Sequence, residues 1–562
     1  MDARGARMLV VGLDGATFDV LGPLMAEGRC PVLRRLAEEG ARSHLRSTTP
    51  PMTLPSWSSF LTGCGPGTHG IFDFTRRVPG TYRLEFTNAT HRRVPTVHRV
   101  LSERGKRTAS IAMPTTYPPD PIDGVVISGF DSPVATTIDG RFCHPPSLYP
   151  ELMKRFGGMA FADFQEIDID EDWHAQALDS MLSEIVRKEE ISRYLLRQER
   201  WELFTVLFGE SDTASHHFWM FHDPESPRYR EHPRFSEAIR QVYERLDEAL
   251  GRLIEEAQPE IVCIASDHGF GGAGDRILYL NRFLEEHGWL QYKGRSQPVG
   301  GGVRSGSGWL DAAKAKALAV LPAKAQQALV RALPGSVLGA VETASRYGDI
   351  DFAGSRAFSD EMNYAACIHL NVVGRDPQGC VEDREAAIEA LTTLLLSWRV
   401  EGEPVVQKVH RREDIYQGDA VDSSPDLVLD LALPGGYSYT LLPSARAKPG
   451  ETWRRLERSE HVGGKGLGMN GSHRQHGVLL LWGEGVAKGV EVSAGMADCV
   501  PTLMTLLGEP IPDWCDGVVL RRALDGVRPI WEEQDRSAGP VAPLGEGDSQ
   551  ALARRLERLG YL

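Results

Sequence analysis

Aspartate and histidine residues in this 562-residue chain recur at spacings that suit metal ligands. Asp212 and His216 are four residues apart, so a helix would place both side chains on one face. Asp267 and His268 are adjacent, and they reach one ion only from irregular backbone. Aspartate oxygen and imidazole nitrogen together suit zinc, manganese or iron. The candidate ligands, enough for two metal ions, are Asp14, Asp212, His216, Asp267, His268 and His473.

Thr53 is the candidate nucleophile for such a site. Pro55 suits the first turn of a helix that would run to about Leu61, which places Thr53 at or just before its amino terminus. The free amides and the dipole of a helix favour an alkoxide and an incoming phosphate there. A metal ion on the threonine oxygen would remove its proton at neutral pH. The alternative is that Thr53 only caps the helix.

Strands alternating with helices must position these residues. Helical spacing of apolar residues covers 18–36, 234–256 and 384–398. Short apolar runs predict strands at 8–12, 203–208, 261–270, 425–431 and 477–482. This order predicts an α/β protein with a doubly wound, mostly parallel sheet flanked by helices. Asp14, Asp212 and Asp267 each follow a predicted strand, where such sheets form their sites.

Composition narrows the class of protein further. Hydrophobic residues make up 41% and charged residues 25%, as in ordinary globular chains. A net charge of −15 makes duplex nucleic acid an unfavourable partner. The sequence contains no apolar run of about 18 residues, which argues against a membrane partner. The eight cysteines form no Cys-x-x-Cys pair, and the start lacks a signal peptide, so we expect a cytoplasmic protein.

The chain divides into four predicted parts. Residues 1–294 form the first part of the core, and the Gly- and Ala/Leu-rich stretch 295–350 is a helical insertion or cap. Residues 351–530 form the second part of the core, which includes His473. Residues 531–562 form a linker and a C-terminal helix.

Taken together, the motifs resemble the alkaline phosphatase superfamily, and within it the type I phosphodiesterase/nucleotide pyrophosphatase branch. The chain order and approximate distances agree, over about residues 8–520. The matching segments are Val10-Val-Gly-Leu-Asp-Gly15, Thr53-Leu-Pro55, Leu61-Thr-Gly63, Pro66-Gly-Thr-His-Gly-Ile71, Asp212-Thr-Ala-Ser-His216, Ser266-Asp-His-Gly-Phe270 and Gly471-Ser-His473.

This resemblance implies a fold, a ligand set and a mechanism. The fold is alkaline-phosphatase-like, with two divalent ions, zinc by preference and manganese as a possibility. One ion would bind Asp212, His216 and His473, with His476 as the alternative to His473. The other would bind Asp14, Thr53, Asp267 and His268. Thr53 would attack phosphorus, and water would then cleave the covalent intermediate.

Departures from the family pattern bear on the substrate. Diesterases of this branch have an asparagine where Phe74 stands, so the candidates for phosphate binding are Phe74, Arg76 and Arg77. The Cys-x-Pro-x-Arg pattern of sulfatases is absent, which argues against a sulfate ester. Residues 358–427 resemble a bacterial subgroup described as predicted phosphohydrolases or phosphomutases, in which Arg375 could contact phosphate or form a solvated surface.

Three functions follow from these patterns. The leading one is a metal-dependent phosphohydrolase acting on a small-molecule phosphate ester or nucleotide. The first alternative is a metal-dependent phosphomutase of the phosphoglycerate-mutase kind, in which the 295–350 insertion would exclude water. The second is a non-catalytic binding protein on the same fold. The sequence carries no signal for an oligomeric state.

Overall fold

The computed structural model describes residues 4–131, 140–158, 169–293, 343, 346–361, 365–462 and 468–536. A large sheet runs through the protein, and its five central strands are mutually parallel. Helices flank this sheet, so the predicted α/β class is confirmed. None of the described helices is both long enough and apolar enough to span a bilayer. The cytoplasmic location stays a prediction.

The elements are numbered along the chain. The central sheet has the spatial order β21 (Val490–Glu491), β2 (Ala41–Arg46), β20 (His476–Gly483), β9 (Ile261–Ala265), β1 (Gly5–Leu13), β8 (Arg200–Phe208), β5 (Thr108–Ile111), β6 (Gly124–Ile127) and β7 (Cys143–His144). The α-helices are α1 (Phe18–Ala26), α2 (Pro31–Glu39), α3 (Thr53–Thr62), α4 (Pro66–His69), α5 (Val97–Glu103), α6 (Leu148–Phe156), α7 (Glu171–Leu196), α8 (Glu210–His222), α9 (Ala238–Ala257), α10 (Leu280–Glu286), α11 (Arg384–Ser397), α12 (Arg412–Ile415) and α13 (Cys499–Leu507).

Smaller sheets surround the central one. One is antiparallel and has the order β11 (Ala357–Phe358), β12 (Ala366–Leu370), β16 (Leu427–Leu431) and β15 (Val406–Arg411). In another, β10 (Gly269–Leu278) pairs with β17 (Ser438–Leu441), β18 (Trp453–Arg455) and β19 (Gly471–Arg474). The strand pairs are β3 (Thr75–Arg77) with β4 (Leu84–Phe86), β13 (Arg399–Val400) with β14 (Glu403–Pro404), and β22 (Ile511–Pro512) with β23 (Trp531–Glu532).

The central strands carry apolar residues on both faces because helices cover both faces of a parallel sheet. In β1, Val10 is paired with Thr205 of β8 on one side and with Cys263 of β9 on the other. These three residues are at most 1% exposed. The carboxyl ends of β9, β1 and β8 therefore lie side by side at one edge of the sheet.

Two predicted elements differ in detail from the structure. The helical stretch 18–36 is divided into α1 and α2, because Gly28 takes a positive φ of 76° and Pro31 starts a new helix. The predicted strand 261–270 ends at Ala265, and β10 begins at Gly269. Asp267 and His268 therefore lie in the irregular turn between two strands, which is the backbone that two adjacent ligands of one ion would need.

The antiparallel sheet of β11, β12, β16 and β15 has a hydrophobic core of its own. The strand predicted at 425–431 exists as β16, but it pairs with β12 and β15 instead of joining the central sheet. An apolar run fixes neither the partners of a strand nor their direction. The four-part division of the chain stays a prediction. Most of 295–350 and the predicted C-terminal helix lie outside the described residues.

Asp426 anchors this small sheet. Its side chain is 1% exposed and accepts hydrogen bonds from Leu370 N at 2.8 Å, from both terminal nitrogens of Arg375 at 2.8 Å and from Arg384 Nε at 2.9 Å. Burial alone would raise the pKa of Asp426, but the Arg375 guanidinium and the other donors hold it well below its ordinary value of 3.8. Arg375, a sequence candidate for phosphate contact, is thus bound to a protein carboxylate.

We expect Asp426→Asn to lower the free energy of unfolding by about 3 kcal/mol at pH 7, because two guanidinium groups lose a buried counter-charge. Asp430→Asn is the matched control. Asp430 lies on β16, which begins directly after Asp426. Its side chain is 46% exposed and pairs with His410, so its loss should cost less than about 1 kcal/mol.

Acid should remove part of the same contribution of Asp426 to stability. Because the folded pKa of Asp426 is depressed, its contribution is complete above about pH 4 and declines as the pH falls further. Urea unfolding at pH 7 and pH 3 measures both effects. Equal losses in the two variants would contradict an anchoring role for Asp426.

Candidate metal centre

The predicted ligands come together at the carboxyl edge of the central sheet. Asp14 follows β1 directly, and Asp267 and His268 follow β9. Asp212 lies in the first turn of α8, which begins two residues after the end of β8. His473 is brought to the same place by β19, where it pairs with Phe270 of β10. The strand order of the central sheet and the pairing of β19 with β10 therefore bring together residues that are up to 459 positions apart in the chain.

The first ligand group consists of Asp212, His216 and His473. Asp212 Oδ1 lies 3.2 Å from His216 Nε2 and 3.4 Å from His473 Nε2, and the two nitrogens are 3.1 Å apart. Three tetrahedral ligands of zinc, each about 2.1 Å from the ion, lie about 3.4 Å from one another. The predicted i, i+4 pair on α8 is thus on one face, at a spacing that one ion would fit.

Backbone carbonyl groups fix the tautomers of the three imidazoles. The Nδ1 atoms of His216, His268 and His473 each lie 2.9–3.1 Å from a backbone carbonyl oxygen, so each Nδ1 carries the hydrogen and donates it. The three Nε2 atoms then present lone pairs to the cluster. Two lone-pair nitrogens only 3.1 Å apart repel each other unless a cation lies between them.

The second ligand group consists of Asp14, Asp267 and His268. His268 Nε2 lies 3.3 Å from Asp267 Oδ2 and 3.7 Å from Asp14 Oδ1. Gly15 N donates a hydrogen bond to Asp267 Oδ1 at 3.2 Å, whereas the buried Oδ2 atom accepts no hydrogen bond from the described residues. Buried polar atoms are normally satisfied, so this oxygen fits a metal ligand.

The electrostatics of the cluster match a cation site. Burial and then the neighbouring carboxylates of Asp14 and Asp212 raise the pKa of Asp267 well above its ordinary value. Burial and then His473 lower the pKa of His268 well below its ordinary value. Divalent cations would favour the ionised form of these buried carboxylates, because they supply the positive charge that the cluster lacks.

Thr53 is the first residue of α3, and Met52 occupies the N-cap position without a side-chain hydrogen bond. The threonine is therefore not the residue that caps the helix. Its hydroxyl oxygen lies 3.4 Å from His268 Nε2, beside the second ligand group. Thr53 and Leu54 have no intrahelical acceptor for their N–H groups, and Pro55 has no N–H, so two amides point out of the helix end.

Two glycines allow the close packing of this site. Gly15 takes a positive φ of 64°, and a Cβ there would lie 3.1 Å from Asp212 Cα. A Cβ on Gly471 would lie 2.4 Å from the carbonyl oxygen of Ser215 on α8. A side chain at Gly471 would push β19, and with it His473, away from α8.

Three further histidines have other surroundings. His476, the alternative ligand, is exposed at the start of β20. The buried ring of His217 packs against Trp173, with the ring centroids 4.9 Å apart. The Nδ1 atom of His69 accepts from Ile71 N at 3.1 Å, so its Nε2 donates to Ser59 Oγ of α3 at 3.0 Å. Burial, and then a nearby arginine, lowers the pKa of His69 to about 3.

The residues predicted to bind substrate lie beside α4, at and before the β3–β4 hairpin. The Phe74 side chain is fully buried and offers no hydrogen-bond donor. Arg76 pairs with Glu85 at 3.2 Å, and Arg77 pairs with Asp376 at 3.0 Å. Their roles in phosphate binding stay a prediction.

The carboxylate of one predicted ligand is bound by a side chain that the sequence motifs did not single out. Trp57 Nε1 donates a hydrogen bond to Asp14 Oδ2 at 3.1 Å. A tryptophan in a predicted helix normally indicates core packing. The only available signal was its position four residues after Thr53, which places both on one face of α3.

Solved structures resemble the chain at low identity. Human ectonucleotide pyrophosphatase / phosphodiesterase 5 is 11% identical, with a TM-score of 0.46 over 90% of this chain and 96% of that chain. An inactive variant of the murine protein, in complex with AMP, is 11% identical with a TM-score of 0.45 and the same coverages. Phosphonoacetate hydrolase from Sinorhizobium meliloti 1021, in complex with phosphonoacetate, is 15% identical, with a TM-score of 0.45 over 88% and 94%.

Sequence comparison gives a clearer result. None of the curated proteins matches the chain. The profile of one family, described as Type I phosphodiesterase / nucleotide pyrophosphatase, matches residues 8–441, which is most of the chain. The match includes every predicted catalytic and metal-binding residue except His473. The chain therefore belongs to the type I phosphodiesterase/nucleotide pyrophosphatase family, whose members are hydrolases that act on phosphoric ester bonds.

Proposed function

We propose that this protein hydrolyses phosphate ester or pyrophosphate bonds through a covalent intermediate on Thr53, at a site that holds two metal ions. The observation that carries the proposal is the convergence of three imidazole lone pairs on buried carboxylates next to the Thr53 hydroxyl. In this arrangement Asp212, His216 and His473 would hold one ion. Asp14, Asp267 and His268 would hold the other, with the Thr53 hydroxyl beside His268 as a further ligand.

Zinc fits this mixed set of oxygen and nitrogen ligands best, and manganese is compatible. When bound, the two cations lower the pKa of the Thr53 hydroxyl and offset the negative charge of the reacting phosphate. The carbonyl groups that hold each imidazole by Nδ1 keep the Nε2 atoms oriented, which is how outer hydrogen bonds support ligands in metalloenzymes.

Thr53 carries out the group transfer. Its Oγ atom loses its proton to solvent and forms a bond to phosphorus while the bond to the leaving-group oxygen breaks in line, and the departing oxygen takes a proton from solvent. Water then attacks phosphorus, the bond to Thr53 breaks, and the hydroxyl is restored. The outward amides of Thr53 and Leu54 stabilise the charge that builds up on the phosphoryl oxygens.

A cleft of about 610 Å³ next to the cluster has the size of a small-molecule site. Phe270 contacts both, since it lines the cleft and its ring centroid lies 4.7 Å from that of His216. Aromatic side chains of Phe18, Trp219 and Tyr437 form other parts of the wall. We propose that this cleft receives the leaving group of a small phosphate ester or nucleotide.

Metal analysis tests the central claim. We expect the purified protein to hold two transition-metal ions per chain, and Asp212→Ala to hold about one, because it removes a ligand of the first group only. Asp179→Ala is the control, since Asp179 is 69% exposed and pairs with Arg234 at the surface. A wild-type protein that binds no zinc at micromolar concentration contradicts the two-metal site.

Substitution of Thr53 tests the nucleophile. Thr53→Ala should lower kcat at least about 1,000-fold, because the attacking oxygen is lost, while Thr53→Ser should keep measurable activity. Thr62→Ala is the control at the other end of α3, where the hydroxyl donates to the Ser58 carbonyl. Mass spectrometry of quenched wild-type protein should detect a phosphorylated or nucleotidylated Thr53. Unchanged activity in Thr53→Ala would exclude the covalent route through this residue.

A substrate panel separates the activities that share this site. We expect turnover of bis-p-nitrophenyl phosphate or of a nucleotide pyrophosphate, and none of p-nitrophenyl sulfate. A preference for p-nitrophenyl phosphate would assign a monoesterase instead. Inertness to all of these, with isomerisation of a phosphoglycerate, would replace hydrolysis by a mutase reaction.

A further inference from the structure

Trp57 connects the nucleophile helix to the metal cluster. Its side chain is fully buried, and its indole N–H donates to Asp14 Oδ2 at 3.1 Å. The other oxygen of the same carboxylate, Oδ1, lies 3.7 Å from His268 Nε2. The indole therefore engages the carboxylate oxygen that does not face His268.

The surrounding residues fix the indole in this position. Gly12 of β1 leaves room for the ring, because a Cβ there would lie 2.9 Å from Trp57 Cη2. Phe60 holds the ring from the same helix with an edge contact at 5.4 Å between centroids. A buried indole that can neither slide nor rotate presents its N–H in one direction, so its hydrogen bond also fixes the carboxylate.

Thr53 and Trp57 lie one turn apart on α3, so their side chains share a helix face. One rigid helix thus determines where the Thr53 hydroxyl lies and how the Asp14 carboxylate is turned. Both groups belong to the second ligand group of the proposed site. Their relative position then depends on Trp57 in addition to the strand that carries Asp14.

We infer that Trp57 is a positioning residue, which holds Asp14 so that its Oδ1 atom is available to the metal ion that also binds Thr53. This inference rests on the proposed two-metal function. The affinity for the second ion then depends on the indole hydrogen bond. The affinity for the ion at Asp212, His216 and His473 does not. Loss of such outer hydrogen bonds lowers metal affinity by about 10- to 100-fold in other metal sites.

The test is zinc titration of Trp57→Phe by competition with a chromophoric chelator. Phenylalanine keeps an aromatic ring on α3 but has no N–H. We expect one of the two zinc ions to bind at least about 10-fold more weakly, with the other unchanged. With a diester substrate, kcat should fall at limiting zinc and recover as zinc is raised, while KM for the substrate stays constant at saturating zinc.

The control is Trp201→Phe. Trp201 is also buried, on β8, and its indole donates to the Leu195 carbonyl at 3.1 Å, so its loss costs a similar hydrogen bond away from the cluster. Zinc affinity should be unchanged in that variant. Equal affinity in Trp57→Phe and wild type would overturn the inference, as would a loss of kcat in Trp57→Phe that zinc does not restore. Failure of the wild type to bind two ions would instead refute the proposed function.

A second measurement covers the case in which Trp57→Phe does not fold. The full chain can be labelled with 5-fluorotryptophan in a background with Trp173→Phe and Trp219→Phe, which removes two other indoles that pack beside neighbours of the cluster. A fluorine signal that shifts as zinc binds would support a contact between Trp57 and a metal ligand. The absence of any zinc-dependent shift would overturn it.

Discussion

Repulsion among the buried carboxylates of Asp14, Asp212 and Asp267 is the constraint on which the site depends. All three are at most 4% exposed, and two of them raise the pKa of the third. Three imidazoles approach them with lone pairs, because each Nδ1 hydrogen is already donated to a backbone carbonyl. Such a cluster is unfavourable alone and favourable around divalent cations. With the proposed cations bound, the site of a protein of net charge −15 would still attract a phosphate ester.

Asp426 is a buried carboxylate outside the metal cluster, and its surroundings stabilise its negative charge. Two arginines and a backbone N–H bind it, and they hold its pKa well below the ordinary value despite burial. Asp267 receives a backbone hydrogen bond on one oxygen only, and its pKa is raised. Donors and positive charges of the protein itself thus compensate the charge of Asp426. The charge of Asp267 has no comparable compensation among the described residues, which fits a carboxylate that binds a cation.

Rigid elements convert the sheet edge into a site of fixed geometry. Parallel strands β9, β1 and β8 bring their ends together, and α8 and β19 add the remaining ligands. Helix α3 then contributes both Thr53 and Trp57, so that one element positions the proposed nucleophile and the Asp14 carboxylate. The indole contact with Asp14 is a feature of this structure that the sequence motifs do not indicate.

The sequence alone determined the fold class, the seven candidate site residues and the family, because ordered motifs such as Asp212-Thr-Ala-Ser-His216 and Asp267-His268 constrain local geometry strongly. It could not determine that the strand at 425–431 joins a separate sheet, or that Arg375 binds Asp426. It also could not reveal the contact between Trp57 and Asp14. These features depend on pairings between residues distant in the chain. Local periodicity carries no information about such pairings, so only the packed tertiary structure decides them.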